Sequence, residues 1–426
     1  MIMAMIRPEI EMKDSGDVYI GKMPLNWRLA SYKYFADSGM GLTILKEDVT
    51  DLGVPIYSAT QDSSIFGYIN NPKLKLNKGD LVIPARGNSI GCTTYVEDDV
   101  ATCTQTTIYS KVSGINPKFL FYCSIGLKEE WFYYVKTAIP QITVSQVQNN
   151  KVPLPPLSEQ QAIADYLDET CSKIDEIIAK AKASIDEYKE LKQSVIFEAV
   201  TKGLDKNVEM KDSGYDFIGC IPSEWEMCKV RHLGTAQNGI SIGGNAFGSG
   251  HPFVSYGDVY KNYSLPKVVD KLVQSSEEDR KRYSVEKGDW FFTRTSETIE
   301  EVGFSCVCEE TIPDAVFAGF LIRVRPFNNR IYTGFAKYYF RSNHLRTFFV
   351  KEMNLVTRAS LTQGLLKDAP VVVPPYDEQI EIANYLENKC EIIDGVIKDK
   401  ESTINDLEAY KKSLIYEVVT GKRRVV

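Results

Sequence analysis

Residues 155–178 read PPLSEQQAIADYLDETCSKIDEII, and residues 374–397 read PPYDEQIEIANYLENKCEIIDGVI. The two segments match at an offset of 219. The match continues through Ile185/Ile404, Lys192/Lys411, Ser194/Ser413, Ile196/Ile415, Glu198/Glu417 and Thr201/Thr420. Each opens on a proline pair, which ends a preceding strand because proline cannot continue a ladder. Ser158 and Asp377 are expected N-caps, and Glu159-Gln160 and Glu378-Gln379 place acid in the first turn. No proline follows until beyond Val200 in the first copy, and none follows Pro375 in the second. Apolar residues then step by four and three: Ile174, Ile178, Ala181, Ile185 and Tyr188, then Ile393, Ile397, Ile404, Leu407, Leu414 and Val418, with Lys400 interrupting the second stripe. This is a heptad-like pattern. At 1.5 Å per residue each helix is roughly 60–65 Å long, too long to bury its stripe in its own globular part. The spacing therefore predicts two long helices packed on each other as an antiparallel coiled coil.

A second repeat lies outside the helices. Residues 12–28 (MKDSGDVYIGKMPLNWR) return as residues 210–226 (MKDSGYDFIGCIPSEWE), offset by 198 and without a gap. Such internal duplication defines two units of about 200 residues, each a variable globular part followed by a similar helix. The globular parts read as mixed α/β. Expected strands include Leu81–Pro84, Thr106–Val112 and Val371–Val373 around the Gly79-Asp80 and Gly288-Asp289 turns, and expected helices are Pro117–Gly126 and Thr333–Arg341. Pro55-Ile-Tyr-Ser58 parallels Pro252-Phe-Val-Ser255, and Lys78-Gly-Asp80 parallels Lys287-Gly-Asp289, whereas the remaining sequence differs. One scaffold with two sets of loops suits a pair of recognition modules with different targets. The expected divisions are 1–16 (N-terminal segment), 17–157 (first globular domain), 158–203 (central long helix), 204–214 (linker), 215–373 (second globular domain) and 374–426 (C-terminal long helix).

Composition narrows the class. Of 426 residues, 43% are hydrophobic, ample for cores and incompatible with disorder over most of the length. No apolar run of about 18 residues is present, and the apolar start is too short for a signal segment, so no membrane is expected. The nine cysteines are odd in number and scattered, which points to the cytoplasm. Cys306-x-Cys308 lacks a second cysteine pair, and only His232, His251 and His344 are present, so a structural metal site is not expected. The net charge of −7 does not exclude nucleic acid. It resides in the helical segments (−4 in 158–203, −3 in 374–426), while 17–157 and 215–373 are each +1 and free to present one basic face.

The chain resembles the specificity subunit of type I restriction–modification systems. The resemblance is carried by the two Pro-Pro-x-x-Glu-Gln segments with their long helices and by the entry segments around Trp27 and Trp225. It covers essentially the whole chain. Tyr376 and Asp377 stand where the first copy has Leu157 and Ser158, which weakens exact symmetry at the second helix start. The resemblance implies two target recognition domains joined by two long antiparallel helices in a pseudo-twofold arrangement. Each domain would read one half of a bipartite site in double-stranded DNA. The helices would set the half-site separation and dock two modification subunits, with restriction subunits beyond them. Adenine methylation and ATP-dependent cleavage would reside in those partners, together with S-adenosylmethionine, ATP and Mg. No cofactor is expected in this chain.

Catalytic patterns are not met. Val373-Pro-Pro-Tyr376 resembles an amino-methyltransferase core, but valine cannot hydrogen-bond a target amino group. Phe247-Gly-Ser-Gly250 resembles a methyl-donor loop, but its flanks suit a surface loop. Pro313-Asp314 lacks the acidic-x-Lys strand of a nuclease, and there is no Walker A or G-x-S-x-G pattern. A non-catalytic protein remains, with a structural adaptor that binds no DNA as the rival. The discriminating observation is a steep salt dependence of DNA binding. Base contacts need Arg, Lys, Asn, Gln, Ser or Thr on exposed loops. The candidates are Thr60, Gln61, Arg86, Asn88, Ser89, Gln141 and Thr143 in the first domain. In the second they are Lys267, Arg294, Ser296, Arg358, Ser360 and Gln363. Arg86 and Arg294 are expected to correspond, lying six and five residues after Asp80 and Asp289. The acid-free cluster Arg323, Arg325, Arg330, Lys337, Arg341 and Arg346 is expected to be either a phosphate-binding face or a merely solvated one.

Overall fold

The computed structural model describes residues 5–62, 64–133, 140–296, 302–352 and 359–425. The chain divides into two compact units. The first comprises Met1–Lys182 with Lys400–Val426, and the second Ala183–Asp399. Both divisions fall inside a long helix, so each unit holds one half of each helix.

The first unit contains strands β1 (Ala36–Met40), β2 (Val54–Tyr57), β3 (Ile65–Ile69), β4 (Leu81–Pro84), β5 (Thr94–Tyr95), β6 (Thr102–Cys103) and β7 (Thr107–Val112). An antiparallel sheet runs β1-β7-β4-β5, and a smaller one runs β6-β2-β3 with β6 parallel to β2. Helices α1 (Pro117–Gly126) and α2 (Val144–Asn149) precede the long α3 (Leu157–Lys202). Leu81 and Ile83 alternate into a core that includes Trp27, Phe119, Ile163 and Leu167. That alternation is the period of a strand with one face on a core.

The second unit repeats this plan. Strands β8 (Gly234–Asn238), β9 (Phe247–Val254), β10 (Leu272–Val273), β11 (Trp290–Thr293), β12 (Thr295–Ser296), β13 (Ser305–Val307), β14 (Val316–Phe317), β15 (Leu321–Pro326) and β16 (Ala359–Ser360) form sheets β8-β15-β11-β13, β10-β9-β14 and β12-β16. Helices α4 (Thr333–Tyr339), α5 (Gln363–Asp368) and the long α6 (Tyr376–Val419) follow. The repeated Gly-Asp turns have a structural task. Asp80 is buried and accepts the Asn77 and Val112 N–H groups at 2.8 and 3.0 Å. Asp289 is buried and accepts the Glu286 N–H at 2.9 Å. Each carboxylate fixes the turn into the central strand. Phe247-Gly-Ser-Gly250 is the exposed start of β9 rather than a loop, because Phe247 pairs with Val273.

The two long helices run antiparallel. In the first unit Asp175 pairs with Lys411 and Lys182 with Glu408, so one helix descends as the other climbs. In the second unit Lys192 pairs with Asp394. Ile174, Ile178, Ile185, Ile393, Ile404, Leu414 and Val418 are all buried, so the apolar stripe is the seam. Both helices begin two residues before the positions that N-caps at Ser158 and Asp377 would give, at Leu157 and Tyr376. Ser158 and Asp377 therefore sit in the first turn instead of capping it. The Glu159 and Gln160 N–H groups bond the Pro156 carbonyl, which draws the preceding residues into the turn.

The Glu-Gln pair explains why both copies carry it. Trp27 Nε1 donates to Glu159 Oε2 at 3.0 Å, and Trp225 Nε1 donates to Glu378 Oε2 at 2.8 Å. The glutamines are fully buried: Gln160 accepts the Asn116 N–H and Gln379 the Tyr332 N–H, and each donates back to a proline carbonyl, Pro155 or Pro374. Each tryptophan also packs on the glycine that ends the other long helix. A Cβ on Gly421 (φ 74°) would lie 3.1 Å from Trp27 and 2.4 Å from Pro24, and one on Gly203 (φ 75°) would lie 3.1 Å from Trp225. Glycine is required there both by its left-handed backbone and by the ring against it. Each entry segment thus clamps the start of one long helix to the end of the other.

Candidate nucleic-acid interface

In the first domain, β4 delivers the chain to Ala85, whose carbonyl accepts the Ile142 N–H at 3.0 Å. The next residue, Arg86, is bridged to Gln141. The loop after β2 is braced to the same place: Ser89 Oγ donates to the Ala59 carbonyl at 2.9 Å, and Gln61 Nε2 donates to the Asn88 carbonyl at 3.3 Å. Arg86, Asn88, Gln61 and Gln141 are exposed, and Thr60 is half-buried beside them. Three stretches distant in sequence therefore present one polar surface. Two candidates have internal tasks instead. Ser89 is buried and turned inward. Thr143 is the N-cap of α2, accepting the Gln146 N–H at 3.2 Å.

The second domain is assembled on the same frame. Thr295 pairs with Ser360 and Ser296 with Ala359, and the Leu361 N–H donates to the Arg294 carbonyl at 2.7 Å. Gln363 opens α5, directly after its cap Thr362. Ser360, Leu361 and Thr362 stand 219 residues after Gln141, Ile142 and Thr143, so the second repeat begins upstream of the proline pairs. That short offset match was a missed signal of these sites. Lys267 lies apart, its ammonium bonded to Glu310 at 2.6 Å, which also raises its pKa. Arg358 lies outside the described residues.

Arg86 and Arg294 do not correspond. The Ala85 N–H bonds the Thr106 carbonyl as the Arg294 N–H bonds the Phe320 carbonyl, both at 2.9 Å. The equivalent of Arg86 is Thr295, one residue further on. A one-residue shift at the end of a strand exchanges the two faces. Arg86 is accordingly exposed, while Arg294 is half-buried with its guanidinium 3.4 Å from the Gly319 carbonyl.

Apart from Arg330, which is exposed, the arginine cluster is turned inward and engaged by the protein itself. Arg323 is buried and donates to the Ser284 carbonyl and Gln237. Arg325 holds Asp289 through two bonds of 2.7 Å and Glu286 through one of 2.8 Å. Arg330 pairs with Glu226 and Lys337 with Glu387. Arg341 donates to the carbonyls of Val259, Tyr260, Asn262 and Ser305, and Arg346 lies 4.1 Å over the Phe304 ring. Burial lowers the pKa of Arg323 and Arg341, whereas the Asp289 bond raises that of Arg325. These cations are structural cross-links.

Cys306 and Cys308 are buried free thiols, and burial pushes Cys308 up to about 12, the direction opposite to that of a metal-binding thiolate. Among the described residues no helix is long and apolar enough to cross a membrane.

Duplicated mixed α/β domains joined to long antiparallel helices, each domain presenting its loops on a shared frame, define the class: a two-module protein built on a helical spacer. The family model for the type I restriction modification DNA specificity domain matches residues 24–187 and 222–405, and the chain belongs to this family. It is 28% identical over 179 residues to the type I restriction enzyme MjaVIII specificity subunit of Methanocaldococcus jannaschii, covering 42% of this chain and 40% of that one. It is 24% identical over 276 residues to the type I restriction enzyme EcoKI specificity subunit of Escherichia coli, covering 64% and 57%. The matched region thus spans about half the length of these relatives. A chain solved in work on complex assembly and conformational transition of the type I R-M system has the same fold, with a TM-score of 0.71 at 16% identity over 94% of this chain and 99% of that one.

Proposed function

We propose that this chain is the DNA-recognition subunit of a type I restriction–modification complex. Residues 17–157 and 215–373 would each read one half of a bipartite site. The observation that supports this best is the convergence of Gln61, Arg86, Asn88 and Gln141 on one exposed surface. A guanidinium and carboxamides are the groups that bond guanine and adenine edges in the major groove. The long helices would dock two modification subunits, with restriction subunits beyond them, in the cytoplasm. Methylation and cleavage, with S-adenosylmethionine, ATP and Mg, would belong to those partners.

The test is DNA binding by the assembled complex across a salt series, together with methylation mapping of the source genome. A steep fall of log affinity with log salt and a bipartite methylated motif are expected. Binding indifferent to salt, or no bipartite motif, would favour an adaptor without a DNA role. Exchanging residues 215–373 for those of a relative should alter one half of the motif. Alteration of both halves would refute one domain per half-site.

A further inference from the structure

The two domains share a backbone frame but line it with opposite chemistry. In the first, Ser58, Thr104 and Thr106 bond one another at 3.1 and 2.8 Å, and Thr43 bonds Gln105. The frame positions are matched by bridges: Leu42 pairs with Thr104 as Ile240 pairs with Ala318. Thr104, Gln105 and Thr106 are therefore replaced by Ala318, Gly319 and Phe320. What was a hydroxyl cluster becomes a cavity of about 500 Å³ walled by Ile240, Ile242, Phe247, Phe253, Tyr256 and Phe320. Phe320 is 64% exposed, and Phe247 is 46% exposed although its ring meets Phe253 edge-on at 5.3 Å. The same cavity is lined by Lys271 and Arg294. Lys271 Nζ donates to Ser255 Oγ at 3.1 Å, and neither cation forms an ion pair with a carboxylate among the described residues. By contrast Arg325, Arg330 and Lys337 of this domain are held by carboxylates.

We infer that this cavity is a thymine-reading pocket, in which the C5-methyl edge of a thymine in duplex DNA seats against Phe320 and Phe247. This rests on the proposed DNA-recognition role and specifies its second half. The major-groove edge of thymine carries the one apolar group among the four unmodified bases, so an apolar wall distinguishes it where hydroxyls would not. Lys271 and Arg294, which have no carboxylate partner among the described residues, complement the phosphates that must flank any base brought to this wall. The cavity is wide relative to one methyl group and admits the pyrimidine edge with it. Because Phe320 occupies the position of Thr106, the same frame would give hydrogen-bond readout in one domain and methyl readout in the other.

The experiment uses the chain assembled with its modification subunits and duplexes carrying the mapped motif. Each thymine of both half-sites is replaced singly by deoxyuridine, which removes only the methyl. One replacement in one half-site should weaken binding about fourfold, the effect of losing roughly 0.8 kcal/mol for one buried methyl. Phe320→Ala should make thymine and deoxyuridine equivalent at that position while leaving the salt dependence unchanged. Phe247→Ala, also at an exposed site, should reduce the discrimination in the same way. A half-site pair without such a thymine, indifference to every deoxyuridine, or discrimination surviving in both variants would overturn the pocket. Absence of any salt-dependent binding would overturn the DNA-recognition role itself, so the two failures are distinct.

Discussion

Lys411 Nζ meets Asp175 Oδ2 at 2.6 Å within the first unit. Lys192 meets Asp394 at the same distance within the second. The four residues are two positions, related by 219, with helices exchanged: the lysine of one repeat always finds the aspartate of the other. The reciprocity follows from the duplication, since each repeat carries the same lysine and the same aspartate.

The two bonds are not equal in surroundings. The Lys192 side chain is 12% exposed against 29% for Lys411, and its ammonium also lies 4.9 Å over the Tyr263 ring. Lys192→Ala is expected to cost about 1–2 kcal/mol and Lys411→Ala about 0–1 kcal/mol. Denaturant unfolding of the two variants checks this. Equal losses would show that the aromatic contact contributes nothing.

The clamps differ too. Among the described residues the Glu378 carboxylate bonds Trp225 alone, whereas Glu159 holds Trp27 and also Arg7 at 2.9 Å. Glu378→Ala leaves a buried indole N–H unpaired, a loss of about 1–3 kcal/mol. Glu159→Ala should lose about 1 kcal/mol more, since it also removes one of the bonds of the Arg7 guanidinium, which keeps the Gly421 carbonyl and Glu11. The midpoint of tryptophan fluorescence in urea reads both.

Arg325 and Arg86 separate stability from recognition. Arg325→Ala strands the Asp289 carboxylate, which is 1% exposed, and should destabilise by about 3 kcal/mol or more. Arg86→Ala should leave the melting temperature unchanged and weaken specific DNA binding by about 1–3 kcal/mol, relaxing one base position. A uniform loss on all sequences would make Arg86 a phosphate contact.

His344 provides a pH signature. It is buried against Phe197 and Tyr339, its Nε2 has no partner among the described residues, and burial holds its pKa down to about 3 against an ordinary 6.5. Between those values the unfolded chain binds a proton that the folded chain refuses. Stability is therefore full above pH 6.5 and falls as the pH drops towards 3, by up to about 1.4 kcal/mol per pH unit. His344→Leu should flatten this slope. Urea midpoints at pH 7.5 and pH 5.0 test it, and an identical slope in the variant would assign the acid sensitivity elsewhere.

Features encoded over short range were legible in the residues alone. The long helices follow from proline-free apolar periodicity, and Leu81–Pro84 and Pro117–Gly126 fall where pattern and proline placed them. The helix starts lie two residues ahead of those the cap residues imply because Pro156 and Pro375 already join the first turn. The loops around Gln61, Arg86 and Gln141 were named separately, but nothing local indicates that they meet. Thr143 is a base-contact candidate by residue type, and its threonine-x-x-glutamine spacing to Gln146 is also a capping signal.

Duplication, helix length and the two-domain division were determined by the sequence itself, since repeats and periodicity are properties of neighbouring residues. Which cations face outward was decided only by the tertiary structure. Arg323 meets partners 39 and 86 residues away, and Arg325 meets Asp289 36 residues away. An acid-free run of arginines says nothing of acids delivered by other strands. Packing brings those acids and carbonyls in, neutralises the run, and leaves Arg86, Lys271 and Arg294 without carboxylate partners among the described residues.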